Sequence, residues 1–122
     1  MARILVIDDD AEMRAMLEQT LRSAGHEVVL ASDGKQGEAL HRADPASLVI
    51  TDLYMPNQEG LETTAKLRRD FPAVPIIAIC GRPGAWDVLL VAKYLGATYT
   101  LAKPFQVDEL LTIVQKALRS EP

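Results

Sequence analysis

The chain has 122 residues, of which 48% are apolar and 25% charged, and these are ordinary proportions for one soluble globular domain. Its 17 acidic and 13 basic residues give a net charge of −4, so it lacks the basic character typical of nucleic-acid binding. The single cysteine, Cys80, excludes an internal disulfide, and no apolar run approaches the roughly 20 residues that span a bilayer. We therefore expect a small acidic domain in the cytoplasm, with neither nucleic acid nor a membrane as its partner.

Five short apolar runs follow one another along the chain, and each precedes a segment with helical spacing of its apolar residues. Continuous apolar runs are typical of strands buried on both faces, as in a parallel sheet. The predicted strands are Ile4–Ile7, Val28–Ala31, Leu48–Thr51, Ile76–Ile79 and Tyr99–Ala102. Five strand–helix units predict a doubly wound α/β fold, (βα)5, in which helices cover both faces of a five-stranded parallel sheet.

The first and last helices have the clearest apolar stripes. In the first helix Met13, Leu17 and Leu21 share one face, with Asp10 predicted as the N-cap and Gly25 as the left-handed residue after its end. A second face of this helix carries the charged residues Arg14, Glu18 and Arg22. The predicted core stripe of the last helix consists of Val107, Leu110, Leu111, Val114 and Leu118.

Chemically distinctive residues follow the ends of the predicted strands. They are Asp8, Asp9 and Asp10 after the first, Asp52 after the third, Cys80 and Gly81 after the fourth, and Lys103 and Pro104 after the fifth. The carboxyl ends of parallel strands meet at one edge of a sheet, so Asp8, Asp9 and Asp52 should converge there and repel one another unless a cation binds. Mg²⁺ suits such a site because it needs few protein oxygens and commonly shares its ligands with a phosphoryl group. Together with the positive charge of Lys103, the pattern predicts phosphoryl transfer onto Asp52.

Five motifs in a fixed order carry a resemblance to a known family. They are Ile4–Asp10, Leu48–Pro56, Gly60–Glu62, Pro75–Ile79 and Leu101–Phe105. Together they resemble the receiver domain of bacterial two-component response regulators, the CheY-like family, over essentially the whole chain. The resemblance implies a flavodoxin-like sheet with strand order 2-1-3-4-5 and a single receiver domain over 1–122, with no output domain in this chain.

The resemblance also implies a metal-dependent phosphorylation site. Asp52 would accept a phosphoryl group from the phosphohistidine of a sensor histidine kinase or a histidine phosphotransfer protein. Asp9, Asp52 and the backbone carbonyl of Tyr54 would bind Mg²⁺, or Mn²⁺ in its place, and Asp8 would act through water. Such a domain promotes only its own phosphorylation and dephosphorylation, so we do not expect an enzyme.

Further residues are implied to contact the phosphoryl group or to transmit its presence. Lys103, the Gly81 N–H and Cys80, at the usual Thr or Ser position, would contact the phosphoryl oxygens. The Lys103–Pro104 peptide bond would be cis, a form found in about 5–6% of X–Pro bonds. An unknown downstream protein would bind the face formed by the fourth helix, fifth strand and fifth helix.

Two positions depart from the family pattern and leave alternatives open. Cys80 replaces a Thr or Ser hydroxyl with a weakly donating thiol, and Thr100 stands where an aromatic is usual. Tyr99 lies one residue earlier, so it should face the other side of the sheet. These departures favour, as an alternative, an atypical receiver that acts as a phosphorylation-independent interaction module. A remote alternative is a haloacid-dehalogenase-like phosphohydrolase, with Asp8 as nucleophile and Asp10 as general acid.

Some residues and one further function have simpler interpretations. Cys80 is expected to be a small core residue, since lone cysteines commonly pack as hydrophobes. His26 and His41 lack ligand-like neighbours in the sequence, and we interpret both as solvated. A flavin or nucleotide binder on the same fold is disfavoured, because the first loop is acidic where a phosphate-binding loop would be rich in glycine.

Overall fold

A computed structural model describes residues 2–53, 59–81 and 86–119 of the chain. Five strands alternate with five helices. The strands are β1 (Arg3–Ile7), β2 (Glu27–Ala31), β3 (Leu48–Asp52), β4 (Ile76–Cys80) and β5 (Tyr99–Ala102). The helices are α1 (Ala11–Ser23), α2 (Gly34–Ala43), α3 (Glu59–Asp70), α4 (Trp86–Leu95) and α5 (Val107–Arg119). Among the residues in these ranges, no helix combines the length and apolar character needed to cross a membrane.

All the strands pair in parallel, in the order β2-β1-β3-β4-β5, so the predicted doubly wound fold and strand order are confirmed. The register aligns the carboxyl ends of neighbouring strands. Ile7 pairs with Ala31 on one side and with Thr51 on the other. At the other end of the sheet, Cys80 pairs with Ala102. Residues that follow these positions therefore emerge at one edge of the sheet.

The two faces of the sheet bury different helices, because successive strand residues point to opposite sides. Ile4 belongs to a buried cluster with Leu17 of α1 and Leu110 of α5. Its neighbour Leu5 packs in a separate cluster with Leu67 of α3. Each fully buried leucine or isoleucine contributes about 1.5–3 kcal/mol to the free energy of unfolding through its transfer from water. The strands are thus held between two apolar layers, which places their ends, and not their faces, in contact with solvent.

The predicted boundaries of α1 agree with the structure, whereas one predicted core position is wrong. The Asp10 carboxylate caps α1 by accepting the Glu12 N–H at 3.0 Å. Gly25 has φ +94°, a backbone conformation that favours glycine. Val107 was predicted in the apolar stripe of α5, but it is 49% exposed. It is the first residue of α5, so its side chain lies before the part of the helix that packs on the sheet.

The interpretation of His41 as solvated is wrong. His41 is buried, its ring meets Phe71 edge-on with centroids 4.4 Å apart, and its Nδ1 accepts the Ala46 N–H at 3.0 Å. Burial lowers the pKa of His41, and the positive charge of Arg42 lowers it further. His26 is half-buried, and its Nδ1 accepts a backbone N–H from the start of the chain. Both imidazoles therefore serve as hydrogen-bond acceptors within the fold.

Arg68 of α3 ties that helix to the segment between α4 and β5. Its guanidinium donates to the Gly96 carbonyl through Nε at 3.0 Å and Nη2 at 2.9 Å. Nη2 also lies 3.3 Å from Thr98 Oγ1, and Nη1 donates to the Pro72 carbonyl at 2.8 Å. One side chain thus satisfies carbonyl groups just beyond the C-terminal ends of two helices, α4 and α3.

Candidate functional site

Three carboxylates meet at the carboxyl edge of the sheet. Asp8 directly follows β1, Asp9 comes next, and Asp52 is the last residue of β3. One carboxylate oxygen from each lies within 4.8 Å of the others. Asp8 is 2% exposed and Asp52 5% exposed, whereas Asp9 is exposed to solvent. The level register of β1 and β3 brings these residues together, as the strand-end argument predicts.

The cluster carries an unfavourable concentration of negative charge. Burial raises the pKa of Asp8 to about 6, and the neighbouring carboxylates of Asp52 and Asp9 also raise it. The Asp10 N–H, which donates to Asp8 Oδ1 at 2.9 Å, and the Lys103 ammonium act in the opposite direction. Because the raising effects prevail, the ionised form of Asp8 is destabilised in the fold. A divalent cation would remove that penalty.

Lys103 supplies a positive charge beside the cluster. Its Nζ lies 3.7 Å from Asp52 Oδ2, and its backbone N–H donates to the Cys80 carbonyl at 2.9 Å. The Lys103–Pro104 peptide bond is cis. The aliphatic part of the side chain crosses Gly81, where an added Cβ would lie 2.7 Å from Lys103 Cδ. A glycine at position 81 therefore leaves the space through which the lysine reaches Asp52.

A cavity adjoins Lys103 on the side of α1. Its volume is about 440 Å³. It is lined by Met13, Met16, Gly81, Lys103, Pro104 and Phe105. Most of this lining is apolar, and Lys103 provides its charge. The site thus combines carboxylates, an ammonium group and an open space beside that group.

The loop that carries Asp8 and Asp9 is held by an arginine that sequence reasoning assigned only to a charged helix face. Arg14 of α1 donates through Nη1 to the Asp8 backbone carbonyl at 2.7 Å. The i,i+4 spacing with Glu18 gave no sign of this contact, because the acceptor is a backbone atom. Arg22, by contrast, does pair with Glu18 as the spacing suggests, at 3.0 Å.

The residues that depart from the expected pattern lie as follows. Cys80 is 1% exposed and packs with Leu53 and Ala92, so its interpretation as a core residue is confirmed. Thr100 pairs with Ala78, which belongs to that same cluster on the α4 side of the sheet. Tyr99 instead packs on the opposite face, with the cluster that contains α1 and α5. The offset therefore turns the aromatic ring away from α4. Tyr54, predicted to offer a carbonyl to the metal, lies outside the described residues.

Comparisons with known proteins agree on one family. The family model described as the response regulator receiver domain matches residues 4–115. Response regulator MprA of Mycolicibacterium vanbaalenii is 35% identical over 117 residues, which cover 96% of this chain and 50% of that protein. Transcriptional regulatory protein CpxR of Klebsiella pneumoniae is 35% identical over 119 residues, which cover 98% of this chain and 50% of that protein. The chain thus spans about half the length of these relatives.

Solved structures show the same similarity along whole chains. The receiver domain of NtrX from Brucella abortus has a TM-score of 0.92 at 28% identity, with 97% of this chain and 99% of that chain covered. The chemotaxis protein CheY4 of Vibrio cholerae has a TM-score of 0.87 at 31% identity, with 96% and 98% covered. These matches give no support to the phosphohydrolase alternative.

Proposed function

The chain belongs to the response regulator receiver domain family, and on that premise we propose that it accepts a phosphoryl group on Asp52 in two-component signal transduction. The observation that carries the proposal is the position of the Asp52 carboxylate. One Asp52 carboxylate oxygen lies within 4.8 Å of carboxylate oxygens of Asp8 and Asp9, and Asp52 Oδ2 lies 3.7 Å from the Lys103 ammonium nitrogen. The donor is the phosphohistidine of a sensor histidine kinase or of a histidine phosphotransfer protein.

The carboxylate cluster fits a divalent cation. Its oxygens lie within 4.8 Å of one another, and carboxylate oxygen is the ligand type that Mg²⁺ prefers. Burial raises the pKa of Asp8, and the neighbouring carboxylates of Asp52 and Asp9 add to this effect, so a bound cation would stabilise the ionised cluster. Asp9 and Asp52 would hold Mg²⁺, or Mn²⁺, directly, and Asp8 would act through water. When bound, the cation supplies neutralising charge for the phosphoryl oxygens.

Phosphorylation in this site requires positioning and charge stabilisation more than acid–base chemistry. An Asp52 carboxylate oxygen attacks phosphorus while the phosphorus–nitrogen bond to the donor histidine breaks. The bonding pair leaves with the imidazole nitrogen, which takes up a proton. The Lys103 ammonium attracts the phosphoryl oxygens, and the Gly81 N–H offers a hydrogen bond to them. Since the product is the modified protein itself, the domain acts as the phosphoryl acceptor and not as an enzyme that turns over another molecule.

The signal then passes by contact with a downstream protein. Three large apolar side chains of α4 are solvent-exposed: Leu90 by 60%, Val91 by 45% and Tyr94 by 89%. Exposed apolar patches commonly mark protein interfaces. They support the face formed by α4, β5 and α5 as the surface for that partner.

Intact-mass measurement after incubation with a small phosphodonor and Mg²⁺ tests the proposal. We expect one acid-stable, base-labile phosphoryl group on the wild type, and none after Asp52→Asn or in excess chelator. Asp44→Asn, a surface substitution away from the site, is the matched control and should be phosphorylated normally. Phosphorylation that survives Asp52→Asn would overturn the assignment.

Thermal unfolding tests the metal separately. Mg²⁺ at a hundredfold excess over Kd should stabilise the fold by about 2.7 kcal/mol, because it binds the native state and not the unfolded one. Asp9→Asn should remove most of this effect. If the Mg²⁺ response is unchanged in Asp9→Asn, the cation binds elsewhere.

A further inference from the structure

The backbone carbonyl of Asp8 lies just beyond the hydrogen-bonded ladder of the sheet. The last paired residue of β1 is Ile7, opposite Ala31 and Thr51. The Asp8 N–H still reaches the Ala31 carbonyl at 3.1 Å. Its own carbonyl instead accepts Arg14 Nη1 at 2.7 Å, a charge-assisted hydrogen bond of the stronger kind. Arg14 thus takes the place of a strand partner at the point where β1 ends.

This hydrogen bond constrains Asp9 as well as Asp8. The peptide group that contains the Asp8 carbonyl also contains the Asp9 nitrogen, and it is planar. Holding the oxygen therefore limits rotation of the whole group and fixes the position of the Asp9 Cα, from which the side chain leaves the backbone. Asp9 is exposed, so the backbone has a large share in directing its carboxylate. The Asp8 carboxylate has a separate restraint, because it accepts the Asp10 N–H.

We propose that Arg14 is a positioning residue of the metal site, which holds the Asp8–Asp9 peptide so that the Asp9 carboxylate faces Asp52. The inference rests on the proposed function, since it takes this cluster to be where Mg²⁺ binds. Removal of a group that orients a metal ligand typically lowers metal affinity by roughly 10–100-fold. Because Arg14 acts through the backbone and restrains one ligand, we expect an effect of about tenfold, at the lower end of that range.

Arg22 provides a matched control on the same helix. Its Nη2 donates to the Val28 carbonyl of β2 at 3.0 Å, so it also joins α1 to a strand carbonyl. Val28 pairs with Ile4, three positions before Ile7 and hence about 10 Å from the carboxyl edge. Removing Arg22 breaks the same kind of contact without touching the peptide that carries Asp9.

The test is a Mg²⁺ titration, followed by calorimetry, of the wild type, Arg14→Met, Arg14→Lys and Arg22→Met, each first shown by its melting curve to be folded. We expect Kd to rise about tenfold in Arg14→Met, to recover in part in Arg14→Lys, and to stay unchanged in Arg22→Met. In phosphorylation by a small phosphodonor, the half-saturating Mg²⁺ concentration should rise in parallel. The rate at saturating Mg²⁺ should stay near that of the wild type.

The outcomes separate this inference from the function on which it rests. If the wild type binds Mg²⁺ and Arg14→Met binds it equally well, the positioning role is wrong and the proposed function stands. An equal loss of affinity in Arg22→Met would also overturn the inference, because it would reveal a general effect of destabilising α1. A wild type that does not bind Mg²⁺ would overturn both.

Discussion

Alanine in place of Gly60 tests how tightly the start of α3 packs against the end of β3. A Cβ added at Gly60 would lie 2.4 Å from the Asp52 carbonyl oxygen and 2.5 Å from Leu53 Cα, whereas comfortable contacts are about 3.5–4.0 Å. Both obstacles are backbone atoms, so the helix or the strand must shift by about 1 Å. Overpacking of this kind costs about 1–3 kcal/mol, and alanine recovers at most about 1 kcal/mol in helix propensity. We expect Gly60→Ala to lower the free energy of unfolding by about 2 kcal/mol.

Gly37→Ala is the matched control for this prediction. Its added Cβ would also come close to a neighbour, at 2.4 Å from Ile7 Cδ1. Ile7 Cγ1 also lies only 2.7 Å from the added Cβ, so this buried side chain must leave its preferred rotamer, at a cost of about 0.5–1.5 kcal/mol, but no backbone atom has to move. The gain in helix propensity should therefore offset much of the clash, and the expected change is within about 1 kcal/mol.

Urea denaturation followed by circular dichroism measures both variants. With a urea slope of about 1–3 kcal/mol per molar, Gly60→Ala should lower the midpoint by about 1 M while the slope stays constant. Its Mg²⁺-dependent stabilisation should also weaken, because the Asp52 backbone moves. A midpoint for Gly60→Ala equal to that of the wild type, or to that of Gly37→Ala, would refute the packing argument.

Three further predictions concern charge and switching. The pKa of Asp8 rises in the fold from 3.8 to about 6, so the metal-free fold loses stability as pH rises through that range. In urea denaturation, the free energy of unfolding of Asp8→Asn should exceed that of the wild type by about 1–3 kcal/mol at pH 8, but not at pH 4. His41 has a lowered pKa, so protonation below about pH 6.5 favours the unfolded chain. His41→Gln keeps an acceptor for the Ala46 N–H, and its free energy of unfolding should fall less between pH 7 and pH 5 than that of the wild type. An equal fall in both proteins would contradict this. The double substitution Cys80→Thr and Thr100→Tyr should enlarge the amide chemical-shift changes in α4 and β5 when beryllofluoride, a mimic of the phosphoryl group, is added. The reason is that a hydroxyl is a stronger hydrogen-bond donor than a thiol. Equally large changes in the wild type would show that Cys80 is a neutral substitution.

The architecture could be predicted from the sequence because both faces of the strands are buried. Continuous apolar runs located every strand, and the five-fold alternation required parallel pairing. The runs gave imperfect boundaries, since β1 and β2 each begin one residue earlier than predicted. The added residues, Arg3 and Glu27, pair with each other in the ladder and form a salt bridge at 2.9 Å. A pattern based on hydrophobicity cannot detect a charged pair at the end of a strand.

The carboxylate cluster was predictable for a related reason. Parallel strands of equal length end at one edge, so the order of the chain alone brings Asp8 and Asp52 together. Contacts that depend on packing between helices, or on backbone atoms, were not predictable. The burial of His41 depends on Phe71, which is 30 residues away in the chain and directly follows α3. The contact of Arg14 depends on a carbonyl that becomes available only because the ladder ends at Ile7.

The hydrogen bonds from Arg68 to the Gly96 carbonyl anchor α4 at its C-terminal end, so any tilt of the helix would pivot about that end. The helix has ten residues and is therefore about 15 Å long. A rotation of about 10° about the C-terminal end would displace the N-terminal end of α4 by about 2.5 Å and leave residues near Gly96 almost in place. Tyr94 lies beside this anchored end, and Leu90 lies about 6 Å closer to the N-terminal end of the helix. A tilt of α4 would therefore displace Leu90 more than Tyr94. The affinity of a partner that contacts Leu90 would depend on the tilt, whereas a partner that contacts only Tyr94 would be little affected.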